Sequence, residues 1–422
     1  MTVTFPSGPR TGKVHIPSSK SQMHRLLICA ALGKNETDIK YLGMSDDISA
    51  TMRCLNALGA DITEKNETTL HVVPIDKCPA GLHHLECGES GSTLRFMIPV
   101  CGVLGADAVF HMKGRLPQRP LAPFDTELTA HGMTIKKEDD LLYVSGTLLP
   151  GSYSLPGNVS SQFISGLLMA LPLAHGKSLI EVTGKIESQA YIRMTLDVLN
   201  VCKVTPGIDN NIFTIPGDER YALPSQCEAE GDYSNAAFFL SLGALSPNGI
   251  IVEGLKSGSS QGDSAITSIL SEFGAEVSSC DGGIKVCGGT LHGITIDASP
   301  IPDLIPVLSV VAAAADGETK VINASRLRLK ESDRLSTTAS LLKSFGADVD
   351  ELPDGLIIRG GKALHGAEVS SFGDHRLAMS AAVASSICSG DIIVNGCECT
   401  AKSYPKFCED FNSLKFCCEK EQ

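Results

Sequence analysis

Cys87-Gly88-Glu89-Ser90-Gly91-Ser92-Thr93-Leu94-Arg95-Phe96-Met97 is a polar, glycine-containing turn that runs into an apolar stretch reaching Leu104. Ser and Thr at the junction suit the cap of a helix. The N–H groups left free at such a helix start, together with the helix dipole, favour an anion. One turn of this kind says little by itself. Its recurrence decides the fold.

The same event returns at Ser160-Ser161-Gln162-Phe163, Gly231-Asp232-Tyr233-Ser234, Ile301-Pro302-Asp303 and Gly373-Asp374-His375-Arg376, and precedes the quoted stretch at Ser18-Ser19-Lys20-Ser21. From Lys20 through Gly91, Ser161, Asp232 and Asp303 to Asp374 the steps are 71, 70, 71, 71 and 71 residues. Each turn precedes an apolar helix pattern that ends at a glycine before a β-branched run: Gly33, Gly105, Gly176, Gly249, Gly317 and Gly390. A second helix pattern closes on Leu58-Gly59-Ala60-Asp61, Phe273-Gly274-Ala275-Glu276 and Phe345-Gly346-Ala347-Asp348, with His131-Gly132 in the same register. The chain is therefore six copies of a unit of about 70 residues, and a repeat of that kind fixes architecture before any local assignment does.

Each unit reads as strand, helix, strand, helix and a two-stranded hairpin. Hairpin turns fall at Lys65-Asn66-Glu67, Glu138-Asp139-Asp140, Asp209-Asn210-Asn211, Asp281-Gly282 and Pro353-Asp354-Gly355, and Asp-Gly is a strong hairpin signal. The sixth unit, ending in a helix expected from Pro405 to Phe416, lacks room for a full hairpin. Val3-Thr4-Phe5 is expected to complete it by pairing with the C-terminal half. A single core rarely grows past about 250–300 residues, so the expectation is two domains of three units, residues 19–227 and residues 1–18 with 228–422, with the active site in the cleft between them.

Composition narrows the ligand. A net charge of -13, no Trp and 5% aromatic residues argue against nucleic acid and anionic membrane as partners. No apolar leader precedes Ser19, and Leu304 to Ala315, the longest apolar run, is too short to span a bilayer. It reads as a buried helix. Fifteen scattered cysteines in a chain without an export signal point to reduced thiols and a cytoplasmic protein. Cys397-Glu398-Cys399 and Cys417-Cys418 lack a second pair at zinc spacing, so no metal is expected. No phosphate loop of the Gly-x-x-x-x-Gly-Lys-Ser/Thr type and no Gly-x-Gly-x-x-Gly opening a βαβ unit occurs, so no nucleotide cofactor is expected either.

Cations gather where the repeats begin their helices. First-helix starts carry Lys20, Ser21 and Arg25; Gly91 and Arg95; Ser160, Ser161 and Gln162; and His375 and Arg376. Second-helix starts carry Arg115 and Arg119, Ser188 and Tyr191, Lys330 and Arg334, and Lys402. Cations in front of helix N-termini suit phosphate or carboxylate, so an acidic chain that concentrates them there is expected to bind a multiply charged anion. Turnover needs proton-carrying groups as well. Glu331 and Asp333 stand among Arg326, Arg328, Lys330 and Arg334, and Asp303 follows Pro302 at an apolar helix start. Acid–base work and simple N-capping are the two readings of Asp303 and Asp333.

At these residues the chain resembles a known family. Pro17-Ser18-Ser19-Lys20-Ser21 with Arg25, Gly88-Glu89-Ser90-Gly91-Ser92, Arg119-Pro120, Ser160-Ser161-Gln162-Phe163, Lys330-Glu331-Ser332-Asp333-Arg334-Leu335, Asp374-His375-Arg376 and Ala401-Lys402-Ser403 resemble 5-enolpyruvylshikimate-3-phosphate (EPSP) synthases over nearly the whole length. The resemblance implies the enolpyruvyl transferase fold, a two-domain inside-out α/β barrel of six βαβαββ repeats. It implies transfer of the enolpyruvyl group of phosphoenolpyruvate to the 5-hydroxyl of shikimate 3-phosphate, releasing phosphate, without metal or cofactor, by a monomer. Lys20, Ser21, Arg25, Ser160, Ser161, Gln162, Ser188, Asp303, Arg326 and Lys330 would contact shikimate 3-phosphate. Lys20, Gly91, Arg119, Gln162, Arg334, Arg376 and Lys402 would contact phosphoenolpyruvate. Asp303 and Glu331 resemble the proton-transfer pair, with Lys20 and Lys330 beside them in the catalytic set; which acid serves the hydroxyl and which the enol methylene stays open.

Two positions depart from the family pattern: Glu89 and Arg326 stand where Asn is common. Three other readings remain. A UDP-N-acetylglucosamine enolpyruvyl transferase typically carries a reactive Cys in the loop matching Met112–Pro120, and this loop has none. An RNA 3′-phosphate cyclase-like enzyme fits poorly with the acidic charge. A non-catalytic anion-binding scaffold would have no need of Asp303, Lys330 and Glu331 together.

Overall fold

A computed structural model describes residues 1–417; Cys418, with the last residues of the expected second domain, lies outside the described residues. The chain divides into two compact units, Ser18–Ala229, and Met1–Pro17 with Glu230–Gln422. Both follow one local rule. The first helix of each repeat is buried nearly all round: in Gly91–Leu104 every residue from Thr93 to Gly102 is buried, as is the whole of Tyr233–Ala244 and of His375–Ala384. Ile305–Ala314, inside the longest apolar run, is buried from Ile305 to Ala313. Such helices belong at the centre of a core. Second helices are one-sided; Ile266–Phe273 buries only Ile266, Leu270 and Phe273, an i, i+4, i+7 stripe.

In the unit Ser18–Ala229 the first helices, Lys20–Ala31, Gly91–Leu104 and Ser161–Ala170, pack against one another. At Gly166 the approach is close: a Cβ there would lie 2.8 Å from the carbonyl of Arg95. That carbonyl stands four residues before Pro99, which has no N–H to bond it. Sheets surround these helices with one face wet. In Leu82–Gly88, His83, Leu85 and Cys87 are buried while Leu82, His84 and Glu86 are exposed, the alternation of a sheet covered on one side. Helices inside and sheets outside make this an inside-out α/β fold.

Sheet order repeats with the sequence. Leu82–Gly88 lies parallel to Asp107–Met112, followed by Leu141–Gly146 and Met133–Glu138, both antiparallel to their neighbours. Ser152–Pro156, Ser178–Thr183, Ile212–Ile215 and Gly207–Asp209 follow the same order, as do Thr295–Asp297, Glu318–Ile322, Gly355–Arg359 and Asp348–Leu352 in the other unit.

The outer repeats are completed by distant strands. Gln226–Glu228 pairs parallel with Thr37–Lys40 and so supplies the first strand of the repeat that starts at Lys20. Arg10–His15 pairs parallel with Ile250–Glu253 and serves the repeat that starts at Asp232. In the sixth repeat Glu368–Ser370 and Ile392–Asn395 are joined by Thr2–Phe5, antiparallel, with Thr2 opposite Asn395 and Phe5 opposite Ile392. The N-terminal strand therefore closes the last repeat as expected from its missing hairpin. The final helix is shorter than the expected Pro405 to Phe416: it spans Phe407–Ser413, and Lys415–Phe416 turns into a short strand against Arg10 and Thr11.

Phe5 is fully buried and meets the ring of Phe411 edge-on at 5.1 Å between centroids. Phe5→Ala should therefore destabilise the chain by about 3–5 kcal/mol, read from the midpoint of urea unfolding. A loss below about 1 kcal/mol would show that the closing strand adds little.

Candidate active site

The unit Ser18–Ala229 brings polar groups together at the starts of its buried helices. Ser19, Ser90 and Ser160 cap the first helices through side-chain oxygens that accept from the N–H groups of Gln22, Thr93 and Gln162. Arg25 lies one turn inside its helix and is 2% exposed. Its Nη1 donates to Ser21 O at 2.6 Å, Nε to Thr195 Oγ1 at 2.7 Å and Nη2 to Tyr191 O at 3.0 Å. All are neutral acceptors, and burial pushes the guanidinium down to about 10. Ser188, 4% exposed, precedes the helix Gln189–Val201 with φ 54° and ψ 41°, a left-handed conformation unusual outside glycine. Lys20 is paired with Asp47 at 2.9 Å.

Gly91, Arg119 and Gln162 converge in the same unit. A Cβ at Gly91 would lie 2.7 Å from Arg95 Nη1 and 2.8 Å from Arg119 Nη1, so glycine here admits two guanidinium groups to a helix start. Arg95 Nη1 donates to Gln162 Oε1 at 2.9 Å, and Gln162 Nε2 donates to Ser92 Oγ at 2.9 Å. Ser160 and Ser161 stand immediately before Gln162. Glu89, the departure noted above, lies against Gly114, where a Cβ would be 2.6 Å from its carboxyl carbon.

The other unit holds a dense ionic cluster. Arg334, 1% exposed, donates from Nε to Asp374 Oδ2 at 2.7 Å, from Nη1 to Asp303 Oδ1 at 2.7 Å and from Nη2 to Glu331 Oε2 at 2.7 Å. Asp374, fully buried, also accepts from Ser332 Oγ at 3.0 Å and caps the helix His375–Ala384 through the N–H of Arg376. Arg376 Nη2 donates to Asp303 Oδ2 at 3.1 Å, and Lys330 Nζ lies 3.6 Å from Asp303 Oδ1. Burial alone would raise the pKa of Asp303, but Arg376, Lys330 and Arg334 outweigh it and hold the carboxyl well below the usual range. Burial pushes Lys330 down to about 8 against the opposing charge of Asp303. Arg326 is half-buried in the turn Ser325–Leu329 and adds positive charge near Lys330. Lys402, 7% exposed, ends the turn Cys397–Lys402, which packs on the helix His375–Ala384.

Asp303 and Asp333, which the sequence could not separate from caps, differ. Asp303 lies ahead of a helix capped at Leu304 and spends its carboxylate on three cations. Asp333 does cap Arg334–Ser344, accepting from the N–H of Ser336, and pairs with Arg328 at 2.9 Å. The cationic run therefore splits: Lys330, Glu331 and Arg334 join Asp303, while Arg328 is held by Asp333 and Glu351. Sequence reasoning did not select Asp47, Thr195 and Asp374 as site residues. Their signal was present in part, because Asp47 and Asp374 occupy helix starts in the repeat register. Among the described residues no group of three or more His, Cys, Asp or Glu is disposed to hold a metal, and no helix is long and apolar enough to cross a membrane.

Residues 6–411 match the model of the EPSP synthase (3-phosphoshikimate 1-carboxyvinyltransferase) family. The chain belongs to that family. Relatives named 3-phosphoshikimate 1-carboxyvinyltransferase include one from Clostridium kluyveri, 42% identical over 96% of this chain and 95% of the relative. Another, from Clostridium perfringens, is 43% identical over 96% of both. A solved EPSP synthase from Acinetobacter baumannii superposes with a TM-score of 0.80 at 25% identity, covering 98% of each chain. The inside-out α/β repeat seen here is thus the fold of the EPSP synthase family, a family of transferases.

Within this family member the buried Arg334–Asp374 pair is a structural hub whose removal is testable without substrate. Asp374→Ala takes away an acceptor shared by Arg334, Ser332 and a helix N-terminus. Breaking a buried ion pair typically costs about 3–5 kcal/mol, so urea unfolding of the variant should show a loss of that size. A loss under about 1 kcal/mol would mean that Glu331 and Asp303 satisfy Arg334 by themselves.

Proposed function

We propose that this chain transfers the enolpyruvyl group of phosphoenolpyruvate to the 5-hydroxyl of shikimate 3-phosphate. The observation that carries the residue-level reading is Asp303, a carboxylate held between Arg334, Arg376 and Lys330 instead of capping its helix. In this reading Lys20, Ser21, Arg25, Ser160, Ser161, Gln162, Ser188, Arg326 and Lys330 hold shikimate 3-phosphate. Lys20, Gly91, Arg119, Gln162, Arg334, Arg376 and Lys402 hold phosphoenolpyruvate. Both sets serve one pair of substrates, so turnover needs both units of the chain, and the single chain is taken as the active species. Every described cysteine is free, which fits a cytoplasmic enzyme.

The reaction joins the 5-oxygen to C2 of phosphoenolpyruvate while C3 gains a proton. Collapse of the tetrahedral intermediate then breaks the C2–phosphate bond and returns a proton from the new methyl group. Asp303 and Glu331 carry these protons. Asp303 is a weak base while its cations are undivided. Substrate anions that share Arg376 and Lys330 relieve that hold and raise its basicity, so the base is activated when substrate arrives. Arg119, Arg376 and Lys402 stabilise the departing phosphate electrostatically.

Phosphate release from phosphoenolpyruvate with shikimate 3-phosphate as acceptor tests the reading; release only with UDP-N-acetylglucosamine would replace it by the sister transferase. Asp303→Asn should lower kcat by about 10²–10⁴-fold with a much smaller change in the KM for shikimate 3-phosphate. Near-normal turnover would remove Asp303 from the chemistry.

Lys330 gives a pH test. Its folded pKa of about 8 means that the charge is present below that value and lost above it. The KM for shikimate 3-phosphate should therefore rise between pH 7 and 9, and Lys330→Arg, which keeps its charge, should flatten the rise. An equal rise in both proteins would place the titrating group elsewhere.

A further inference from the structure

Cys78 and His83 are a thiol and an imidazole that the proposed reaction does not use. His83 is 8% exposed and held between two carbonyls: its Nδ1 lies 2.9 Å from Ala57 O and its Nε2 3.0 Å from Pro79 O. A neutral imidazole carries one N–H and can donate to only one of these oxygens, whereas the imidazolium donates to both. Nε2 also lies 3.6 Å from Cys78 Sγ. A thiolate there would be the charge partner of that cation, the arrangement that makes a cysteine nucleophilic. Burial works against it and pushes the Cys78 thiol up, so the thiolate depends on His83.

Cys78 opens onto a cavity of about 370 Å³ in the unit Ser18–Ala229, at the end where its buried helices finish. Leu32 caps the C-terminus of Lys20–Ala31, Leu104 is the last residue of Gly91–Leu104, and both line the cavity with Leu173. Helix C-termini favour a cation. The charged groups around the space lean the same way: Asp76, Asp218 and Glu219 stand against Arg220, which donates to Ile75 O at 2.8 Å. His175 Nδ1 meets Asp218 Oδ1 at 2.8 Å, and Lys77, next to Cys78, is exposed. Cys101, on Gly91–Leu104, is pushed up by burial and stays a neutral thiol. We propose that Cys78 and His83 form a reactive thiolate–imidazolium pair, a modification site for the disulfides of cationic aminothiols. The thiolate attacks one sulfur of such a disulfide. A new S–S bond joins Cys78 to half of the reagent, the old S–S bond breaks, and the other half leaves as a thiolate that takes a proton from water. Cys78 is oxidised and the departing half is reduced. The retained ammonium group then lies among the acidic residues of the cavity.

The test follows labelling of Cys78 in the reduced, full-length protein by peptide mass spectrometry. At pH 7 the reagents are cystamine, a dicationic disulfide, and 3,3′-dithiodipropionate, a dianionic one. Each rate is divided by that of N-acetylcysteine amide with the same reagent, which cancels the leaving group. The normalised rate should favour cystamine by roughly 10-fold or more. A pH profile from 6 to 8.5 is taken with the neutral bis(2-hydroxyethyl) disulfide. The wild-type rate should level off below about pH 8, as for a thiol with a cationic partner. His83→Gln can donate but carries no charge, so its rate should climb about tenfold per pH unit toward the ordinary thiol range near about 8.5. A merely structural His83 would change the rate by one factor at every pH. A wild-type rate that still climbs steeply at pH 8.5, the same profile in both proteins, or equal normalised rates for the two charged disulfides overturns the proposal. If His83→Gln does not fold, the wild-type profile and the reagent preference decide. Turnover is not read, so the outcome stands apart from the proposed reaction.

Discussion

A helix that is apolar on every side can meet water or ligand only at its ends. Tyr233–Ala244, Ile305–Ala314 and His375–Ala384 are buried along nearly their whole length, and this constraint orders everything else in their unit. The sheets must cover them from outside, which is why Glu318–Ile322 alternates exposed and buried residues. Polar chemistry must move to the helix starts, where free N–H groups need acceptors and Asp232 and Asp374 supply them. The same arrangement in the unit Ser18–Ala229 uses Ser19, Ser90 and Ser160 as caps. A neutral cap leaves the positive end of the dipole available to a ligand, whereas an aspartate partly cancels it.

The two units keep buried cations in opposite ways. Arg25 is surrounded by hydroxyl and carbonyl acceptors, so its charge is solvated by dipoles and not neutralised. Its field extends to whatever occupies the neighbouring helix starts. Arg334 is neutralised three times over, by Asp374, Asp303 and Glu331. The first arrangement leaves the charge of Arg25 uncancelled by its hydrogen-bond partners, which suits a phosphate. The other sets Arg334, Arg376 and Lys330 against Asp303, Glu331 and Asp374, a balanced set of charges that holds its carboxylates in place.

How far the sequence revealed this depends on the length scale of each signal. The repeat was legible because six turns share one register, and its apolar helices are long enough to read as buried. The completion of repeats by distant strands was legible only at the N-terminus, where the missing hairpin of the sixth repeat created a vacancy for Val3-Thr4-Phe5. Gln226–Glu228 is three residues long, too short to announce a partner almost two hundred positions away. Within the candidate site, cations and hydroxyl groups could be nominated from sequence because they recur at helix starts. Thr195 escaped because it is visible only through the guanidinium it supports. The ambiguity between cap and catalyst at Asp303 is not solvable from sequence, since it turns on one residue of offset: the helix begins at Ile305, and Leu304, not Asp303, takes the cap position.

That offset has a chemical consequence. A capping carboxylate is committed to backbone N–H groups that no substrate can replace. Asp303 is committed instead to side chains, and these differ in how readily they let go. Arg334 uses Nε, Nη1 and Nη2 on three carboxylates at 2.7 Å each. Moving it would break several buried contacts together, so it acts as the fixed post of the cluster. Arg376 at 3.1 Å and Lys330 at 3.6 Å hold Asp303 more loosely. In the proposed reading an entering dianion would draw these two away while Arg334 stays. On that reading Asp303 would keep its position and lose much of the charge that holds its pKa down. A neutral or singly charged molecule would exert less pull on the two loose cations and would leave the carboxylate quenched. In the proposed reading, selectivity for a multiply charged substrate and activation of Asp303 as the base would be the same event.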